Sequence, residues 1–85
     1  MKLIGKLEGD KFHIGGETTG WQLEVQDASP EAEHMKNQKL DVRTEELRLS
    51  FYKGRKVSVS GRLEKKLWKG RGEQPLFTVL SIELA

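Results

Sequence analysis

The sequence predicts a small all-β fold, a strongly bent five-stranded barrel with one short helix between the third and fourth strands. Three observations predict it. Val57, Val59, Leu63 and Leu67 alternate with polar residues, the period of a strand that buries one face. Gly61 interrupts that run, and an isolated glycine in a strand marks a bulge or a sharp bend. A basic turn then leads into a second apolar strand, Leu76 to Leu84, so the last third of the chain reads as one long hairpin.

The remaining elements follow in order. Residues 2–8 (KLIGKLE) read as a first strand, closed by Gly9-Asp10, with Lys11 to Ile14 as its continuation after a bend. Gly15 to Gly20 is a turn, since glycine supplies the positive φ that tight turns need. Trp21, Leu23 and Val25 alternate with Gln22, Glu24 and Gln26 and mark a second, half-buried strand. Residues 27–38 are polar and contain Pro30; they read as a loop with a short helical turn at Pro30 to Met35. Lys39 to Arg43 is a third strand with Leu40 and Val42 on one face. Thr44 then reads as a helix N-cap, with Glu45 and Glu46 at the positive end of the helix dipole. Leu47 and Phe51 fall four apart and face the core together, and Gly54 ends the helix. The expected core is Leu3, Leu7, Trp21, Leu23, Val25, Leu40, Val42, Leu47, Phe51, Val57, Val59, Leu63, Val79, Leu80 and Ile82.

Length and composition bound the class. Eighty-five residues make one domain with a small core. The chain has no cysteine, which removes a disulfide framework and thiolate metal sites and fits a reducing, cytoplasmic setting. The opening MKLIGKLEGD has no apolar signal region, and no apolar run reaches the ~20 residues that span a bilayer, so no membrane partner is expected. The net charge of +2 hides an asymmetry. Residues 1–50 hold 7 Lys and Arg against 10 Asp and Glu, a balance of −3, whereas residues 51–85 hold 8 against 3, a balance of +5. A basic C-terminal third points to a polyanionic partner, and equally fits a solubilising surface.

The order of elements is that of the OB-fold, a Greek-key barrel whose second and third strands and two loops often bind oligonucleotides or oligosaccharides. The stretch KGRKVSVSGRLEKKLWKGRGEQPLFTVLSIEL, residues 53–84, resembles the fourth strand, long loop and fifth strand of bacterial single-stranded-DNA-binding proteins and their primosomal relatives. Gly54, Val57, Val59, Gly61, Arg62 and Leu63 carry the resemblance, and LIGKL at Leu3 to Leu7 is similar to that family's opening strand. The resemblance implies a five-stranded OB-fold-like barrel that binds single-stranded DNA or RNA without catalysis. Residues 15–43 depart from the pattern, because they show no rows of aromatics or cations.

The candidate site is the connection between the last two strands. Trp68 stands among Lys65, Lys66, Lys69 and Arg71, and nonspecific single-strand binders combine a cationic groove with aromatics on which bases stack. Trp68 shares the parity of Arg62, Glu64 and Lys66, so it is expected to point outward unless the bulge at Gly61 changes the register. Phosphates would meet Arg62, Lys65, Lys66, Lys69 and Arg71; the alternative is a Trp packed across the barrel end. Tyr52, Lys53, Arg55 and Lys56 form a second cluster, for which stabilising the helix C-terminus is a sufficient role. The polar Gln22, Glu24, Gln26 face favours a competing reading, an accessory domain that binds a protein or pairs with a second copy through strand edges. An oligosaccharide ligand is a third reading.

No catalytic or metal constellation emerges. His13 and His34 lie far apart, and Ser50, Ser58, Ser60 and Ser81 have no evident His partner. Asp27, Glu31 and Glu33 share a loop without an EF-hand pattern, and Gly15-Gly16 with Thr18-Thr19 is not a P-loop. No cofactor is expected.

Overall fold

The computed structural model describes residues 1–11 and 18–85. The chain is mostly β, and its elements are β1 (Lys2–Glu8), β2 (Gln22–Ala28), β3 (Lys39–Arg43), β4 (Lys56–Trp68) and β5 (Gly72–Leu84). The ladders close a ring in the order β1-β2-β3-β5-β4, with β4 returning to β1. Every pairing is antiparallel except β3 with β5, which is parallel. Residues 12–17, which carry His13 and parts of the expected first-strand continuation and glycine turn, lie outside the described residues.

Alternation decides what enters the ring. Leu3 and Leu7, Leu23 and Val25, Leu40 and Val42, Val57 and Val59, and Phe77 and Val79 form one buried cluster. Each such side chain contributes about 1.5–3 kcal/mol relative to leaving it in water. The turn Pro30–Met35 is 3-10 helical, with proline in its first turn, and it adds Ala32 and Met35 to that buried cluster.

Two bulges shape the ring, and each sits at a glycine. The β1–β2 register shifts between Ile4 and Gly5, and the β4–β5 register shifts between Ser60 and Gly61. A Cβ on Gly5 would lie 2.1 Å from the Glu24 carbonyl oxygen, and one on Gly61 would lie 1.9 Å from that of Thr78. Only a residue without a side chain lets those carbonyls approach.

The second bulge corrects the expected core. Ser60 pairs with Ser81 and Gly61 with Val79, which leaves Leu80 as the extra residue. The inward parity therefore passes from Phe77 and Val79 to Ile82, and Leu80 stands 60% exposed.

The expected helix after Thr44 is also corrected. The Thr44 hydroxyl does accept a hydrogen bond from the Leu47 N–H at 3.3 Å, but only a 3-10 turn, Leu49–Tyr52, follows. Leu49 enters the core, Leu47 is half-buried, and Phe51 points to solvent with 71% exposure. A helix this short has too few hydrogen bonds to offset its nucleation, so packing of Leu49 sets the local conformation. Gly54 takes a φ of 77°, as the end of the segment requires. Phe51→Ser is accordingly expected to change stability by no more than about 0.5 kcal/mol, the range for exposed sites. A loss of several kcal/mol on urea denaturation would restore Phe51 to the core.

Trp21 is half-buried rather than fully enclosed; it lies on Gly9, whose Cβ position is 2.7 Å from the indole ring. Nearby, Lys11 Nζ sits 2.7 Å from Glu8 Oε2, and its hydrogen bond holds the Glu8 carboxyl below its ordinary pKa.

Candidate nucleic-acid interface

The basic connection between β4 and β5 is not a long loop. The two strands stay paired out to Trp68 and Gly72, and only Lys69, Gly70 and Arg71 make the turn. The β1–β4 ladder stops at Ser60, and β3 pairs with β5 only at Leu76 to Thr78. Residues 65–68 and 72–75 therefore pair with each other beyond the ring, as a two-stranded arm, and residues 62–64 pair with 76–78 at its root.

Directly paired residues share a face, so the ladders define the outer surface of arm and ring. Arg62, Glu64, Lys66 and Trp68 of β4 lie beside Thr78, Leu76, Gln74 and Gly72 of β5. Asp41 and Arg43 of β3 pair with Leu76 and Thr78, and Gln22 of β2 pairs with Asp41. The arm thus continues the outward face of β2 and β3.

Trp68 holds the outward parity expected of it, yet it is only 3% exposed. Lys66 Nζ lies 4.5 Å from the ring centroid and the Arg71 guanidinium 5.2 Å, a cation–π pair that covers the indole. Arg71 is held there by Asp41, whose Oδ2 is 2.6 Å from its NH1. Asp41 Oδ1 accepts a hydrogen bond from Gln22 Nε2 at 3.3 Å. The expectation of an exposed stacking platform is corrected: the cations expected to flank Trp68 fold over it, anchored by a carboxylate on β3. The indole Nε1–H is buried and finds no acceptor among the described residues.

The other cations are placed as follows. Arg62 Nε donates to Glu64 Oε1 at 3.1 Å, and Glu64 Oε2 lies 3.5 Å from Arg43 NH2. Arg43 Nε also donates to the buried Thr78 hydroxyl at 3.2 Å. Lys65 lies on the opposite face, 3.7 Å from Glu73, and Lys69 is exposed in the turn. Lys65, Glu73 and Pro75 join Leu63, His34 and Met35 around a groove of about 350 Å³ between the arm and the turn Pro30–Met35. Leu67 lies on that same face of the arm and is 79% exposed.

The second expected cluster is separate, because β4 begins beside it and ends at the arm. Tyr52 is half-buried against the core, Lys53 is ion-paired with the Asp10 carboxylate, and Arg55 is exposed. Its backbone is fixed: the Leu7 N–H donates to the Arg55 carbonyl at 3.0 Å, and the Gly54 N–H donates to the Leu7 carbonyl at 2.7 Å.

Sequence reasoning missed Asp41, Gln22, Arg43 and Leu76 as parts of this site. Alternation puts Asp41 outside the ring, and nothing local signals that the arm covers it. Among the described residues no group of three or more His, Asp or Glu gathers as a metal site would require, Asp27, Glu31 and Glu33 included. No helix among them is long and apolar enough to cross a membrane. Comparison of the chain with protein-family models, curated proteins and solved structures returns no match.

Proposed function

We propose that this chain is an OB-type Greek-key barrel and a non-enzymatic module that binds single-stranded nucleic acid along the outer face of the arm and of β2–β3. One observation carries the reading: Lys66 and Arg71 lie over the Trp68 ring on the outer face of a strand pair that also carries Arg62 on that face, Lys69 in its turn and Lys65 on its other face. The ring order supports it too, since OB barrels bind oligonucleotides on the corresponding strands and connecting loop.

The ion pairs set the expected strength. Phosphates must compete with Glu64 for Arg62, with Glu73 for Lys65 and with Asp41 for Arg71. Binding is therefore modest and falls steeply with salt, as counterion release requires. A base reaches Trp68 only as Lys66 or Arg71 leaves the ring for a phosphate. That exchange couples backbone contact to stacking.

Titration of the protein and of a Lys66→Ala, Lys69→Ala double variant with fluorescent oligo-dT tests the reading. The variant is expected to bind about tenfold more weakly and to lower the slope of log affinity against log salt by roughly two. Equal affinity and equal slope in the folded variant would contradict it. The internal pairing of these cations also favours a second reading, an accessory domain with a protein partner. That reading gains if the parent protein ignores DNA and RNA at low salt.

A further inference from the structure

We propose that the chain pairs with a second copy of itself through the edge of β4, with the two arms antiparallel about a twofold axis at Lys65. The argument starts from the backbone. Among the described residues, no strand pairs with the β1-side edge of β4 beyond Gly61, whose N–H donates to the Met1 carbonyl at 3.0 Å. Backbone groups alternate sides along a strand, so those of Leu63, Lys65 and Leu67 point to this same edge. An edge of this kind is a template for another strand.

Side-chain order then selects the occupant. The arm strand reads Arg62-Leu63-Glu64-Lys65-Lys66-Leu67-Trp68. Turned about Lys65, it sets Leu63 against Leu67, Glu64 against Lys66 and Arg62 against Trp68 of the other copy. Cross-strand pairs of apolar residues and of opposite charges are the stabilising kinds, whereas the Trp68 indole is already covered by Lys66 and Arg71 of its own copy and adds nothing to the selection. Centres at Glu64 or Lys66 would put like charges on the axis without that complementarity. The Lys65 centre also brings two like charges together, but Glu73 lies 3.7 Å from each Lys65 ammonium in its own copy.

The same register satisfies the backbone. Lys65 faces Lys65 as a hydrogen-bonded pair, and Leu63 faces Leu67 likewise, on the groups that already point outward. Leu67, 79% exposed in one copy, gains Leu63 of the other as a neighbour. The outer faces of both arms then run on as one surface, which places two copies of the Trp68 region side by side.

The chain has no cysteine, so a single introduced thiol reports the register. Residues in a hydrogen-bonded antiparallel pair lie about 5.5 Å apart at Cα, inside the range a disulfide bridges. Lys65→Cys is therefore expected to form a covalent dimer under mild oxidation in buffer without nucleic acid. Lys69→Cys, which the register sets against Gly61, is expected not to. In sedimentation equilibrium the unmodified chain is expected to show a concentration-dependent dimer. Leu67→Pro, which removes an N–H from the open edge and none from the β4–β5 ladder, is expected to weaken it about tenfold or more. A monomer at every soluble concentration, equal cross-linking of Lys65→Cys and Lys69→Cys, or a dimer unchanged by Leu67→Pro in a folded arm would overturn the proposal.

Discussion

Asp41→Ala is expected to destabilise the chain by about 2–4 kcal/mol and to uncover Trp68. The Asp41 side chain is 2% exposed and that of Arg71 is 13% exposed, so their ion pair is largely removed from water. Removing one partner of a buried pair costs about 3–5 kcal/mol, because the attraction that offset the desolvation of both charges is lost. The partial exposure of Arg71 moves the expected cost toward the lower part of that range. Gln22 loses its Asp41 acceptor as well. The cost is separable from ordinary cavity formation by a double-mutant cycle. Asp41→Leu with Arg71→Met should recover much of the loss, since apolar replacement removes both charges of the pair together. In a Trp21→Phe background, Trp68 emission should shift to longer wavelength and acrylamide quenching should rise in Asp41→Ala. A loss below about 0.5 kcal/mol, the scale of an unremarkable surface change, with unchanged quenching would mean that Asp41 does not hold the arm.

Gly61→Ala is expected to cost about 3 kcal/mol, a large effect for one methyl group. Its Cβ would lie 1.9 Å from the Thr78 carbonyl oxygen, 2.9 Å from the Thr78 carbonyl carbon and 3.2 Å from the Leu80 nitrogen. All three obstacles are backbone atoms, so no side-chain rotation relieves the clash and the ladder itself must shift. Overpacking usually costs about 1–3 kcal/mol, and a backbone obstacle places this site at the top of that range. The displacement would fall on the bulge that hands the inward parity from Val79 to Ile82. Thermal unfolding should show a clear fall in Tm. A neutral Gly61→Ala would mean that the close approach at this bulge is absent in solution.

These two sites show which parts of the molecule the sequence carries on its face. The strands were legible because burial on one side imposes a period of two: Leu3 and Leu7, Leu23 and Val25, and Val57 and Val59 enter the core as alternation requires. The turn at Pro30 to Met35 was legible from proline and its polar setting, and a bulge was legible from Gly61. The insertion fell on the partner strand, at Leu80, and a single residue there reverses every inward position that follows. A pattern read on one strand does not reveal an insertion in its partner. The helix after Thr44 failed for a related reason, because the spacing of Leu47 and Phe51 is local and the burial of Leu49 is tertiary.

The site was legible as a composition and not as a geometry. Lys65, Lys66, Trp68, Lys69 and Arg71 stand together in the sequence, and the outward parity of Trp68 followed from alternation. Its burial depends on Arg71 meeting Asp41, a residue thirty positions earlier. No local pattern contains that pair. The same arrangement gives the proposed binding its mechanism, in which a phosphate that draws Lys66 or Arg71 away opens the indole to a base.

The most direct measurement is a titration of the Trp21→Phe variant with oligo-dT and with an RNA oligomer, following Trp68 emission and anisotropy at about 50 mM and then about 200 mM salt. The result expected is binding at low salt that changes Trp68 emission and weakens sharply at the higher salt. A folded protein that binds neither oligomer at low salt, with Trp68 emission unmoved, would contradict the nucleic-acid reading.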